Sequence, residues 1–300
     1  MLQLNQDAQA IVAAHQDLAL PLDSPPSERY SRDDVLYRTA KLACLALGFI
    51  EIDAECLALA WQAMVQRTGR FDPQAWPDEP ADFGLRPWPR DDAFAPCPKA
   101  LGLYAVLPSA DWVGRMARAG VPTVQLRFKS DDAAAVRREV QAAVDAVRDT
   151  DALLFINDHW RDAIDAGAYG VHLGQEDMEI ADFAAIREAG LRLGLSSHGY
   201  AEMLRADRVS PSYIAMGAVF PTTLKRMATA PQGAGRLHAY ARMMRDYPLV
   251  AIGGIDAERL EQVMTSGVGS VAVVRAITAA TDPERAAAQL QAQMVTLRAR

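Results

Sequence analysis

The stretch Leu153 to Asp177, LLFINDHWRDAIDAGAYGVHLGQED, decides the fold. Leu153 to Ile156 is an apolar run of strand length, Trp160 to Ala166 is a helical pattern closed by Gly167, and Gly170 to Leu173 is a second short apolar run. Strand, helix and strand in that order predict a parallel pair, because the crossover is long enough to bring the chain back. Asp158 and Asp177 each follow the C-terminal end of one strand and therefore face the same side of the sheet. Two readings stay open for them. They are loop carboxylates that cap the next helix, or they hold a magnesium ion, which favours one or two carboxylates completed by waters and phosphate oxygens.

The same alternation extends outward from this unit. Further strands are expected at Leu101 to Leu107, Thr123 to Phe128, Leu191 to Leu195, Tyr213 to Ala218, Leu249 to Ile252 and Ser270 to Val274. Amphipathic helical patterns lie between them, and Gly120, Gly167, Gly190 and Gly267 sit where a helix must stop. Eight strands alternating with helices predict a (β/α)8 TIM barrel over residues 99–300. An open doubly wound sheet is the alternative, but no GxGxxG follows the first strand.

Residues 1–70 read as a small helical N-terminal region, with patterns at Asp7 to Leu18, Asp33 to Leu47 and Asp53 to Val65. The second has an apolar face through Leu36, Ala40, Ala43 and Leu47, and His15 in the first is expected on a solvated surface. Residues 71–98 are rich in proline, which removes backbone donors and favours extended chain, so a linker or wrapped arm is expected. Trp76, Phe83, Trp88 and Phe94 are spaced to anchor it on a domain surface.

Half of the 300 residues are apolar, ample for a packed core, and the net charge of −7 argues against a nucleic-acid or membrane-surface partner. Small phosphorylated ligands need only a local cluster of cations. Cys44, Cys56 and Cys97 form neither a zinc motif nor a disulfide framework, and the N-terminus lacks a signal-peptide pattern. A reduced, cytoplasmic setting is expected, and a homo-oligomer is compatible with the sequence.

Active sites of this fold lie at the C-terminal ends of the strands, so those positions carry the functional reading. Strand two ends in Gln125, Arg127 and Lys129 on one face, cations that ask for an anionic ligand or a neighbouring acid. Strand three ends in Asn157 and Asp158, strand four in His172 and the segment to Asp177, and strand five in Ser196, Ser197 and His198. The loop after strand six carries Thr222, Thr223 and Lys225; Gly253 and Gly254 follow strand seven, and Val274 and Arg275 strand eight. The last two loops are the habitual phosphate site of such barrels.

The runs VQLRFK, FINDHW, GVHLGQED, GLSSH, GAVFPTTLK, VAIGGI and VAVVRAI, in this order and spacing, resemble the thiamine-phosphate synthase family from about Leu101 to Met294. The resemblance implies magnesium-dependent coupling of hydroxymethylpyrimidine diphosphate with hydroxyethylthiazole phosphate, giving thiamine phosphate and diphosphate. It places Gln125, Arg127, Lys129 and Asn157 on the pyrimidine diphosphate and Asp158 and Asp177 on the metal. Ser196 falls near the reacting centre, Lys225 on the diphosphate, and Thr222, Gly254, Val274 and Arg275 around the thiazole phosphate. Two positions depart from the family pattern: Leu224 stands for its second threonine, and Arg275 for its serine. Arg127, Lys129, Ser196 and Lys225 are the expected catalytic residues. No general base is demanded, because the attacking thiazole nitrogen carries no proton, so His172 and His198 are read as positioning residues. A thiazole-phosphate tautomerase of the same fold would instead use one of them as acid and base, and a non-catalytic sensor of thiamine precursors is the reading outside enzymology.

Overall fold

The computed structural model describes residues 4–21, 29–222 and 230–299. Eight parallel strands close into a barrel in sequence order: β1 (Gly102–Leu107), β2 (Thr123–Leu126), β3 (Leu153–Asn157), β4 (Gly170–Leu173), β5 (Arg192–Ser197), β6 (Tyr213–Met216), β7 (Leu249–Ile252) and β8 (Ser270–Val273). Three helices precede the barrel: α1 (Gln6–Ala14), α2 (Val35–Ala46) and α3 (Glu51–Thr68). Around and after the strands lie α4 (Ala110–Arg118), α5 (Ala133–Val147), α6 (Trp160–Ala166), α7 (Phe183–Glu188), α8 (Tyr200–Asp207), α9 (Gly233–Met243), α10 (Leu260–Met264), α11 (Arg275–Thr278) and α12 (Pro283–Arg298). The barrel and its helical preface therefore match the expected architecture.

The strand period separates two cores. Residues such as Val124, Leu126, Leu154 and Ile156 point outward and join one large cluster with the helices. Tyr104, Val106, Phe155, Tyr213, Ala215 and Val250 point inward and fill the barrel floor. Phe155 meets Tyr213 edge-on at 5.2 Å, the arrangement that aromatic quadrupoles favour. Gly194 makes room for this packing, since a Cβ there would lie 2.1 Å from the Tyr213 ring.

Element ends differ from the sequence expectation where a side chain takes over a helix terminus. The segment after β4 is split into a 3-10 turn at Asp177–Glu179 and α7, because Asp182 accepts the Ala185 N–H and starts the helix afresh. Strand β5 runs on through Ser196 and Ser197, whereas β2 stops at Leu126, one residue before Arg127.

The N-terminal helices pack on the barrel exterior in continuity with the larger core. Phe49, Trp76 and Tyr200 sit ring against ring, and Phe83 stacks on Tyr200 at 5.4 Å. His15 corrects the sequence reading. It is buried, with its ring 4.9 Å from that of Trp76 and its Nε2 at 3.1 Å from the Pro73 carbonyl oxygen. The cover comes from a segment far along the chain, which the periodicity of α1 has no means to reveal. Leu36 is likewise only half-buried, and Tyr37 takes its place on the buried face of α2 with Ala40, Ala43 and Leu47.

Candidate active site

Residues from β2, β3 and β4 meet at the C-terminal rim. Gln125 and Asn157 are buried and face each other, the Gln125 Nε2 donating to Asn157 Oδ1 at 2.8 Å. Asp158 follows directly, with φ of 65°. That left-handed conformation is costly for most residues and tolerated by Asp, and it swings the carboxylate away from the strand direction toward the loop after β4. The Asp158 N–H donates to the His172 carbonyl oxygen at 3.0 Å, which fixes this turn against the neighbouring strand. Lys129 Nζ lies 2.6 Å from Asp158 Oδ2, so part of the cation excess at the end of β2 is met by a neighbouring acid. Arg127, half-buried, makes no ion pair among the described residues.

Asp177 enters from the far side of the same rim. Its Oδ2 accepts the Gly174 N–H at 2.8 Å, which holds the carboxylate across the turn after β4. Burial pushes its acid above the ordinary carboxylate range; the Gly174 N–H opposes, the nearby Asp158 charge and a hydrogen bond with Asp158 raise it further, and Lys129 opposes. Two carboxyl groups close enough to share a proton mark a place that favours positive charge. A cavity of about 180 Å3 opens beside them, lined also by His159, Asp162 and Ile180. The donor set is small and composed of hard oxygens, and no cluster of three or more His, Cys, Asp or Glu suited to a metal occurs among the described residues. These donors fit magnesium, which is commonly completed by water and substrate phosphate, better than a metal that needs a full protein cage.

A hydrogen-bonded chain rises from the barrel floor to Ser196. Tyr104 Oη and Tyr213 Oη are 2.8 Å apart, Tyr213 Oη is 2.7 Å from His172 Nδ1, and His172 Nε2 is 2.8 Å from Ser196 Oγ. Burial pushes both phenols up, so they stay neutral and each has one proton to donate. Running the chain from Tyr104 to Tyr213 to His172 Nδ1 uses both phenolic protons; the reverse leaves the Tyr104 proton with no acceptor among the described residues. In that direction His172 Nδ1 accepts from Tyr213, and Nε2 on the other side of the ring faces Ser196 Oγ. Gln175 Nε2 donates to the Ser196 carbonyl oxygen at 2.7 Å, while its buried Oε1 has no partner among the described residues. His198 is turned outward instead, its Nδ1 2.6 Å from Glu202.

On the opposite arc, Gly254 has φ of 64°, and a Cβ there would lie 2.5 Å from the Pro221 carbonyl oxygen. Glycine thus lets the loops after β6 and β7 touch, with the Phe220 N–H donating to the Gly253 carbonyl oxygen at 2.9 Å. Val274 precedes α11, and Arg275, exposed, is its first residue. Thr222 is half-buried at the edge of this arc, and Lys225 and Leu224 lie outside the described residues.

Tyr104, Tyr213 and Gln175 were not among the expected site residues. The strand phase that puts Val106 opposite Gln125 already placed Tyr104 inside the barrel, but only the closed register brings it to Tyr213, 109 positions away.

Comparison with known proteins identifies the family. A family described as thiamine monophosphate synthase matches residues 103–277. A thiamine-phosphate synthase of Neisseria meningitidis serogroup B is 55% identical over 199 residues, covering 66% of this chain and 97% of that protein. One from Yersinia pestis (strain Pestoides F) is 53% identical over 190 residues, covering 63% and 88%. Among solved structures, thiamine phosphate pyrophosphorylase from Pyrococcus furiosus superposes with a TM-score of 0.58 at 27% identity, covering 66% of this chain and 96% of that one. The chain belongs to the thiamine monophosphate synthase family.

Proposed function

We propose that the chain couples hydroxymethylpyrimidine diphosphate with hydroxyethylthiazole phosphate to form thiamine phosphate and diphosphate. The observation that carries this reading is the convergence of Gln125, Asn157, Lys129, Asp158 and Asp177 from three consecutive strands on one rim. A tautomerase has no need of the paired carboxylates, and a sensor has no need of a group that drives out diphosphate.

The leaving diphosphate departs from a benzylic-type carbon on an electron-rich aminopyrimidine, so the bond breaks dissociatively and the ring carries the cation. Asp158 and Asp177 would hold magnesium, which supplies neutralising charge to the diphosphate oxygens when bound. Arg127 and Lys129, with Lys225, would take up the remaining charge of the leaving group. Gln125 and Asn157, locked to each other at the floor of the rim, would orient the pyrimidine diphosphate. The Ser196 hydroxyl, set by His172, would lie beside the reacting carbon. The thiazole nitrogen then attacks a carbon already positioned, which is an advantage of orientation and asks for no base. The hydrogen bonds that engage His172 and His198 support positioning roles for both. Gly254, Val274 and Arg275, with Thr222, would bind the thiazole phosphate, Arg275 by a bidentate contact in place of the family's serine.

Mixing both phosphorylated substrates with magnesium should release diphosphate and yield thiamine phosphate in equal amounts. Binding of both substrates without turnover would replace this reading by the sensor, and turnover of a thiazole phosphate alone would replace it by the tautomerase.

A further inference from the structure

Asp53 belongs to the N-terminal helices, yet its carboxylate ends at the catalytic rim. Its Oδ1 accepts the N–H of Ala201, in the first turn of α8, at 2.8 Å. The residue at the N-cap of α8 is Gly199, which has no side chain to offer those N–H groups. A Cβ at Gly199 would lie 2.1 Å from Asp53 Oδ2, so the glycine leaves the space that the carboxylate fills. The cap of this helix therefore comes from outside the barrel.

Helix α8 follows β5, and only His198 and Gly199 separate it from the strand end at Ser196 and Ser197. Inside the turn, Glu202 accepts both the His198 N–H and its ring nitrogen, at 2.8 and 2.6 Å. Outside it stands Asp53. The other end of α8 is held by the N-terminal segment as well: Arg90 pairs with Asp207, the last residue of the helix, at 2.7 Å. An acid at the first turn and a cation at the last both suit the helix dipole. The docking is reciprocal, since buried Arg236 of α9 donates to the carbonyl oxygens of Leu18 and Leu47 at 2.9 and 3.0 Å. Asp53 is thus fixed on a rigid support.

We propose that Asp53 is a positioning residue which, by capping α8 from the N-terminal helices, holds the Ser196–Gly199 turn in the geometry that the pyrimidine-diphosphate side of the site requires. This rests on the synthase reading of Ser196. The N-terminal region is on this account part of the catalytic support and not a detached binding arm.

The test uses the full chain with Asp53→Ala and Asp53→Asn, steady-state kinetics for each substrate, and hydrogen exchange of the peptide spanning residues 196–203. Asp53→Ala should lower kcat/KM for the pyrimidine diphosphate about tenfold, the scale of a lost cap transmitted to a misplaced group. The KM for the thiazole phosphate should stay within about twofold, and exchange at Ala201 should accelerate. Asn accepts at an N-cap as well as Asp, so Asp53→Asn should return both readouts to within about threefold of the wild type. Wild-type kinetics in Asp53→Ala despite faster exchange would overturn the proposal, and so would an equal loss toward both substrates. Should Asp53→Ala fail to fold, Gly199→Ala presses on the same joint from the barrel side and should give the same selective loss; unchanged kinetics there would overturn the proposal too. A wild-type chain without turnover would sink the synthase reading and the substrate named here, an outcome kept apart from failure of the cap because exchange at Ala201 needs no substrate.

Discussion

Asp53→Asn also isolates the cost of a buried charge at the joint between the N-terminal helices and the barrel. Asp53 is 4% exposed, and burial, the largest influence, pushes its carboxyl from 3.8 up to about 6. The Ala201 N–H and Arg236 oppose, Glu202 adds to the rise, and the Tyr200 N–H opposes. The other titratable groups facing it, Cys44, Cys56, Tyr200 and Tyr240, are all pushed up and stay neutral below neutral pH. An acid whose folded pKa lies above its unfolded value binds more protons when folded, so its contribution to stability falls as pH rises from about 3.8 to about 6. At 1.36 kcal/mol per unit the full penalty at neutral pH is about 3 kcal/mol, of which about 2 kcal/mol develops between pH 4 and pH 7.

Asparagine carries no such charge. It keeps an acceptor for Ala201 and gives up the one toward the Tyr200 N–H, a loss of about 1 kcal/mol that does not depend on pH. Urea unfolding of both proteins from pH 4 to pH 7 reads the difference directly, since groups that titrate alike in the two cancel. The variant should gain about 2 kcal/mol on the wild type across that interval, with the change concentrated between about pH 4 and 6. A flat difference would refute the reasoning and mean that Arg236 fully compensates burial; a change of opposite sign would mean that the Asp53–Arg236 attraction dominates.

Asp158→Ala and Asp177→Ala should each cut turnover by about 100-fold or more in a diphosphate-release assay, and should shift the magnesium dependence; unchanged dependence in both would place the metal elsewhere. Tyr213→Phe removes the hydrogen bonds to both His172 Nδ1 and the Tyr104 hydroxyl and should cost about 1–3 kcal/mol in denaturant unfolding, whereas Tyr104→Phe removes only the terminal donor and should cost about 1 kcal/mol. Equal effects would reverse the direction assigned to the chain. A chain beginning at Lys99 loses Phe49, Trp61 and Trp76 and bares Tyr200, side chains worth about 1.5–3 kcal/mol each when buried, so it should be insoluble or unfold well below the full protein in a thermal melt.

The barrel was legible because its signals are local. The strands are mostly short apolar runs, four of the helices stop at Gly120, Gly167, Gly190 and Gly267, and Asp158 and Asp177 sit at fixed offsets from strand ends, so their placement on one rim follows from parallel pairing alone. What stayed hidden depends on contacts between distant segments. Tyr104 and Tyr213 join only through barrel closure, and His15 is buried only because Trp76 folds over it. Lys129 was expected to meet a phosphate or an acid, and the spacing had no means to choose Asp158, since that pairing depends on the left-handed turn at the end of β3. Asp53 entered the sequence reading only as the start of a helical pattern for the same reason: a cap given to another helix leaves no trace in its own neighbourhood.

The N-terminal region and Arg275 fall on different parts of the rim. The family match begins at residue 103, and 199 residues cover 97% of the neisserial relative, so about a third of this chain has no counterpart there. That added third meets the barrel at α8 and α9, the helices after β5 and β6, through Asp53, Arg90, Trp76 and Arg236. Here Tyr200 of α8 is fully buried against Phe49, Trp76 and Phe83 of the added region, and Tyr240 of α9 packs edge-on against Tyr200. Barrel and extension thus share one packed interface. Gly199 and Arg236 make the same point chemically: one leaves a cap to be supplied, the other is a buried cation whose hydrogen bonds end on N-terminal carbonyls. Arg275, by contrast, opens α11 after β8, the strand next to β7, and makes no hydrogen bond to an N-terminal residue among the described residues. On the proposed reading Arg275, standing where the resemblance expects a serine, binds the second phosphate, and the two changes are separable: a variant at Asp53 should move the pyrimidine-diphosphate constants, and Arg275→Ser the thiazole-phosphate KM, with additive effects in the double variant. Coupling between them above about 0.5 kcal/mol would show that the support reaches further round the rim than α8.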